Sequence, residues 1–207
     1  MKSYILFIMI VLSFTNCVYG QELFKDETFG FQIEEPKKWF EATNQDLINN
    51  LSKFELSDKS HSKMLSDHNG SIMLISYYKY DPKKYDGLIP TIQINVRSKQ
   101  NNNFQEFKND IINSSNGFKK HFPDFKFIVE PSELDINGTK SVYFIGEFTM
   151  KTQYGELLKV RSRTYAIPQK DYFFQLNFTD SSEKKLDCSH LFDELVRSVK
   201  VYNKQIE

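Results

Sequence analysis

Cysteine is nearly absent from this chain: its 207 residues hold two, Cys17 and Cys188. Cys17 lies in an N-terminal stretch that reads as a leader, so the mature chain keeps one thiol. One thiol forms no internal disulfide, and packing alone must hold the fold. Histidine is also scarce, at four residues, with no His-x-x-x-His pair, and Cys-x-x-Cys, the phosphate loop, the dinucleotide fingerprint and the Gly-x-Ser-x-Gly elbow are all missing. Excess charge of either sign is lacking too. Twenty-seven basic residues face 27 acidic ones, which argues against broad attraction to nucleic acid or anionic membranes. No internal repeat or low-complexity segment occurs beyond Asn101-Asn102-Asn103.

Residues 1–20 carry the one long apolar run. Lys2 supplies a positive start, Tyr4 to Phe14 an apolar core, and Val18-Tyr19-Gly20 a cleavage site before Gln21, the pattern of a secretory signal peptide. The run is shorter than the roughly 20 apolar residues of a membrane span. A lipoprotein reading would attach lipid at Cys17, but Asn16 is a poor fit to the small residue expected there, so plain cleavage is favoured. The mature chain, residues 21–207, suits a single domain, secreted or periplasmic. Nineteen Phe, 11 Tyr and one Trp give the whole chain ample core material.

Beyond a polar lead-in at 21–27, Phe29, Phe31 and Ile33 alternate with Gly30, Gln32 and Glu34 to predict a strand ended by Pro36, with Trp39-Phe40 as an aromatic anchor. Residues 45–55 have helical spacing behind Thr43, and 57–70 form a polar loop. Strands are predicted at 71–80 and 91–98, with Ile92, Ile94 and Val96 inward and Gln93, Asn95 and Arg97 outward. The asparagine triplet caps a helix running from Phe104 to about Phe118, and 124–130 is a further strand before Pro131. From Glu133 to Thr179 three alternating runs, separated at Tyr154-Gly155 and at Pro168-Gln169-Lys170, predict an antiparallel meander. Ser182 is expected to cap a last helix whose apolar stripe includes Cys188, Leu191, Phe192, Leu195 and Val196.

Taking even positions of the meander as one face gives a core of Val142, Phe144, Phe148 and Met150 with Phe174, Leu176 and Phe178. The odd face mixes Tyr143, Ile145, Tyr165, Ile167 and Phe173 with Lys159, Arg161, Arg163, Gln175 and Asn177. That mixture predicts a half-covered side with a polar strip, and hence helices on both sides of the sheet.

The strand GFQIEEPKKWF, with Gly30, Phe31, Pro36 and Trp39, and the terminal FDELVRSVKV, with Phe192 and Ser198-Val199, resemble the PsbP-like superfamily. That superfamily includes the extrinsic subunit of the photosynthetic oxygen-evolving complex and secreted bacterial relatives. The resemblance spans about residues 28–201. It implies an α+β fold, an α/β/α sandwich around an antiparallel sheet, acting without catalysis as a binding or assembly factor. It supplies no catalytic residue and no cofactor.

Among candidate sites, Asp58, His61, Asp67 and His68 in the 57–70 loop carry metal-ligand chemistry, although their spacing matches no established ligand pattern. Asp187-Cys188-Ser189-His190 sets thiol, hydroxyl and imidazole side by side, but successive helical residues do not face one another, and a core cysteine is the better reading. Lys159, Arg161 and Arg163 alternate on one strand and could receive an anionic ligand, an acidic partner or lipid headgroups, or simply be a solvated, protective face. Sequons such as Asn137-Gly138-Thr139 signify only in a glycosylating host. The sequence thus leads to a secreted, non-enzymatic protein that binds another envelope protein through the half-covered face. The alternative is a small-ligand or metal carrier using the 57–70 loop.

Overall fold

In the computed structural model the described residues are 22–43 and 71–202. The helix expected at 45–55, the 57–70 loop with His61, Asp67 and His68, and the leader with Cys17 lie outside them. The first part holds three short strands, β1 (Leu23–Asp26), β2 (Phe31–Glu34) and β3 (Phe40–Glu41). There follow β4 (Ser71–Tyr78), β5 (Thr91–Ser98), helix α1 (Phe104–Asn116) with a 3-10 turn over Gly117–Lys120, and β6 (Lys126–Ile136). The chain continues through β7 (Thr139–Lys151), β8 (Leu157–Pro168), β9 (Tyr172–Asp180), helix α2 (Ser189–Ser198) and β10 (Lys200–Val201).

Seven antiparallel strands form the main sheet in the order β3-β4-β5-β9-β8-β7-β6, and β1-β2-β10 form a small second sheet. Helix α1 packs on one face of the main sheet, with Phe107 against Val142 and Ala166. Helix α2 packs on the other, where Phe192 and Leu195 join Phe174, Leu176 and Phe178 in the main core. The small sheet covers part of that same face through Phe31, whose ring lies 4.8 Å from that of Phe174. The architecture is therefore the α+β sandwich expected, with one helix among the described residues on each side of an antiparallel sheet. Phe174, Phe178, Phe192 and Leu195 are fully buried, and each such side chain contributes on the order of 1.5–3 kcal/mol by leaving water.

The meander is present, but its faces divide differently from the even-and-odd reading. Val142 pairs with Ala166 and Phe144 with Thr164, so β7 and β8 keep parity. Tyr165 pairs with Leu176 and Ile167 with Phe174, so β8 and β9 reverse it. The cause is connection length. Five residues separate the paired Lys151 and Leu157, whereas four separate the paired Pro168 and Phe173, and an even-numbered connection places partners of opposite parity side by side. The α2 face thus takes Tyr143, Tyr165 and Ile167 with Phe174, Leu176 and Phe178. The α1 face takes Val142, Phe144 and Ala166 with Phe173, Gln175 and Asn177. The half-covered strip of the sequence reading is a composite of the two.

Other boundaries move for local reasons. The lead-in is strand β1, hydrogen-bonded to β2. Strand β6 does not stop at Glu130 but runs through Pro131 to Ile136, with register shifts on either side of Val129; at the sheet edge a proline leaves no ladder donor missing. The first meander strand begins at Thr139 rather than Glu133, after a turn in which Asn137 and Gly138 both have positive φ, 50° and 87°. Asn-Gly is the pairing such a turn demands.

Helix α2 starts at Ser189, not Ser182. Residues before it form a turn that lets Asp180 accept the Cys188 N–H at 2.8 Å. After Val199 the chain pairs with β2 as β10. Asn137 caps this exit, donating from Nδ2 to the Val199 carbonyl and, at 3.0 Å, to that of Arg197. Gly30 has φ +70°, and the Tyr202 carbonyl occupies the position a Cβ would need.

Candidate ligand-binding cavity

A cavity of about 320 Å³ lies between α1 and the main sheet. Its geometry starts with the cap of α1. Asn103 accepts from the N–H groups of Gln105 and Glu106 at 2.7 and 3.3 Å, which starts the helix immediately after β5. Asn101 donates to Asp110 at 2.7 Å, tying the connection to the second turn of the helix. Phe107, in edge contact with Phe173 at 5.3 Å, seats the helix on the sheet. Lys108 and Lys140 both pair with Glu133, at 3.1 and 2.8 Å, and hold the helix against the β6–β7 hairpin.

The floor of the cavity is polar, which is unusual for the covered face of a sheet. Arg97, Thr164 and Gln175 line it. Arg97 donates to Gln175 Oε1 at 3.0 Å, Gln175 donates to Asn177 Oδ1 at 3.2 Å, and the Thr164 hydroxyl donates to the same Asn177 oxygen at 3.1 Å. This ladder crosses β5, β9 and β8. Asn95, beside it and only 4% exposed, accepts from Gln93 at 3.4 Å. Phe107, Ile111, Phe144 and Phe173 supply an apolar wall, and Lys99 and Ser114 lie at the rim.

None of these residues was singled out as a site in the sequence, although the signal was there. Gln93, Asn95 and Arg97 are the outward positions of β5, and Gln93 pairs with Asn177 and Asn95 with Gln175. Once the four-residue connection is counted, the outward residues of two strands become one polar patch.

The proposed binding trio shares the opposite face, but two of its members are engaged. Arg161 forms two bonds of 2.7 Å to Asp180 and a third of 2.8 Å to Asp187. Those partners, Asp180 first, push the guanidinium pKa above its ordinary value. Asp187 accepts from the Ser189 hydroxyl at 2.6 Å and the Ser189 N–H at 2.9 Å. These bonds, the hydroxyl's first and with Arg161's added, hold its carboxyl down to about 2 against the opposing effect of burial. Arg163 is buried and bonds Asp193 of α2 at 3.1 Å. Lys159 is exposed.

The thiol and imidazole of Asp187–His190 part company. Cys188 is 6% exposed in the main core, and burial pushes its thiol up. The His190 side chain is 91% exposed and faces Glu194. Among the described residues no group of three His, Cys, Asp or Glu side chains could hold a metal ion, and no helix is long and apolar enough to cross a membrane.

No family model and no curated protein matches the chain. Solved structures do. A protein of Bacteroides thetaiotaomicron VPI-5482 aligns at 13% identity and TM-score 0.47 over 88% of this chain and 48% of that one, so the chain spans about half its length. LpqN of Mycobacterium tuberculosis, described as involved in cell envelope biogenesis, aligns at 14% identity and TM-score 0.49 over 84% of this chain and 83% of that one. The cyanobacterial PsbP of Synechocystis sp. PCC 6803 aligns at 10% identity and TM-score 0.49, over 87% and 92%. These likenesses concern the fold alone.

Proposed function

We propose that this chain is an exported, non-catalytic binding protein that takes a small ligand in the cavity between α1 and the sheet. The observation carrying this reading is the Arg97–Gln175–Asn177–Thr164 ladder on the cavity floor. A sheet face that only had to be covered would be apolar, as the α2 face is where Phe192 and Leu195 lie on Phe174, Leu176 and Phe178. Polar groups set beneath an apolar wall are the composition of a ligand site, and about 320 Å³ lies at the small end of the range for such sites. Export rests on the signal-peptide pattern of residues 1–20. A binding rather than catalytic role accords with the separation of Cys188 from His190 and with the engagement of Arg161 and Arg163 in ion pairs.

Fragment screening by amide NMR tests the reading. Ligands should shift amides of α1, β5 and β9 in the wild type and lose those shifts in Ser114→Trp, which fills the rim from an exposed helix position. Fragments that bind only elsewhere, or equally well to the variant, overturn it.

A further inference from the structure

We infer that the occupant of this cavity is a small amphiphilic carboxylate, its carboxylate held by Arg97 and its apolar body lying against Phe107, Ile111 and Phe173; this rests on the cavity being the ligand site. The inference comes from comparing the arginines of the sheet. Arg161 and Arg163, on the α2 face, are each neutralised by aspartate at 2.7–3.1 Å. Arg97, half-buried on the α1 face, bonds instead to a neutral amide oxygen, that of Gln175, and makes no ion pair among the described residues. Holding a guanidinium partly out of water without a counter-charge is costly, so an anion arriving from solution would be favoured there.

The neighbouring charges agree with this. Lys99 adds a second cation at the rim. Asp110, the one carboxylate among the described lining residues, keeps its charge although Asn101 donates to it at 2.7 Å, so two cations stand against one anion there. The ladder also orients the cation, because Asn177 fixes the Gln175 amide, whose oxygen then takes one guanidinium N–H. Guanidinium carries five such donors in a planar fork, and the remainder match the two oxygens of a carboxylate. Phe107, Ile111 and Phe173 give an alkyl body an apolar surface that a wholly polar anion would leave unused.

Octanoate, octanol and octylammonium titrated into the full chain, followed by amide NMR, separate the terms. Octanoate should shift α1, β5 and β9 and bind at least about tenfold more tightly than octanol, the difference expected of a charge-assisted hydrogen bond. Arg97→Gln, its thermal midpoint checked against wild type, should bind octanoate no more tightly than it binds octanol. Equal binding of octanoate and octanol at the cavity, or preference for octylammonium, overturns the carboxylate and leaves the cavity reading intact. If none of the three shifts these amides while screening fragments do, the amphiphile fails alone; if no small molecule does, both readings fail.

Discussion

Arg161 meets Asp180 with two parallel hydrogen bonds of 2.7 Å, and Asp180 is completely buried. The pair links β8 to the end of β9, and Asp180 also takes the N–H of Cys188, from which α2 departs. Its place in the molecule is thus structural: it fixes where the chain turns from sheet to helix. Removing the cation while leaving the buried carboxylate costs about 3–5 kcal/mol in such pairs. Arg161→Ala should destabilise the chain by that order in urea denaturation. A loss below about 1 kcal/mol would mean that Arg161 is the surface residue its spacing suggested.

Acid should loosen the same corner. Asp187 titrates near 2 in the folded chain against an ordinary 3.8, so it binds its proton more readily when unfolded. Its contribution is present in full above pH 4 and is lost as pH falls toward 2. Thermal midpoints measured from pH 5 to pH 2 should fall less steeply in Asp187→Asn than in wild type; parallel curves would contradict the assignment.

Much of this was legible in the sequence and some was not. The strand β5, the asparagine cap of α1 and the meander turns at Tyr154-Gly155 and Pro168-Gln169-Lys170 follow from local chemistry that no distant contact overrides. The division of faces does not follow from alternation alone, because it depends on the parity of each connection, and Gln175 with Asn177 moved to the α1 side for that reason. Asn137-Gly138 carried the strongest hairpin signal in its stretch, yet as a sequon it read only as a glycosylation motif. The late start of α2 was hidden because Asp180, Arg161 and Cys188 meet only in three dimensions.

The Asn137 turn is a separable device. Asn137→Gly preserves the positive φ but removes the donor to the Arg197 and Val199 carbonyls, whereas Asn137→Ala loses both. Lost hydrogen bonding of this kind is worth about 1 kcal/mol, and an unfavourable left-handed backbone about 1 kcal/mol more. Denaturation midpoints should therefore rank wild type above Gly above Ala. Ala matching Gly would show that the backbone term is negligible there.

Gly30 holds the small sheet in register. A methyl group would meet the Tyr202 carbonyl, and φ is +70°. Gly30→Ala should lower stability by more than about 1 kcal/mol and speed amide exchange in β2 and β10 ahead of β7 and β8. Unchanged exchange in β10 would place the strain elsewhere.

The most direct test of the account is a crystal structure of the full chain grown with octanoate. The account predicts the carboxylate within hydrogen-bond distance of the Arg97 guanidinium and the alkyl chain between Phe107 and Phe173. Octanoate seated on another surface, with the α1 cavity taking no part, would contradict it.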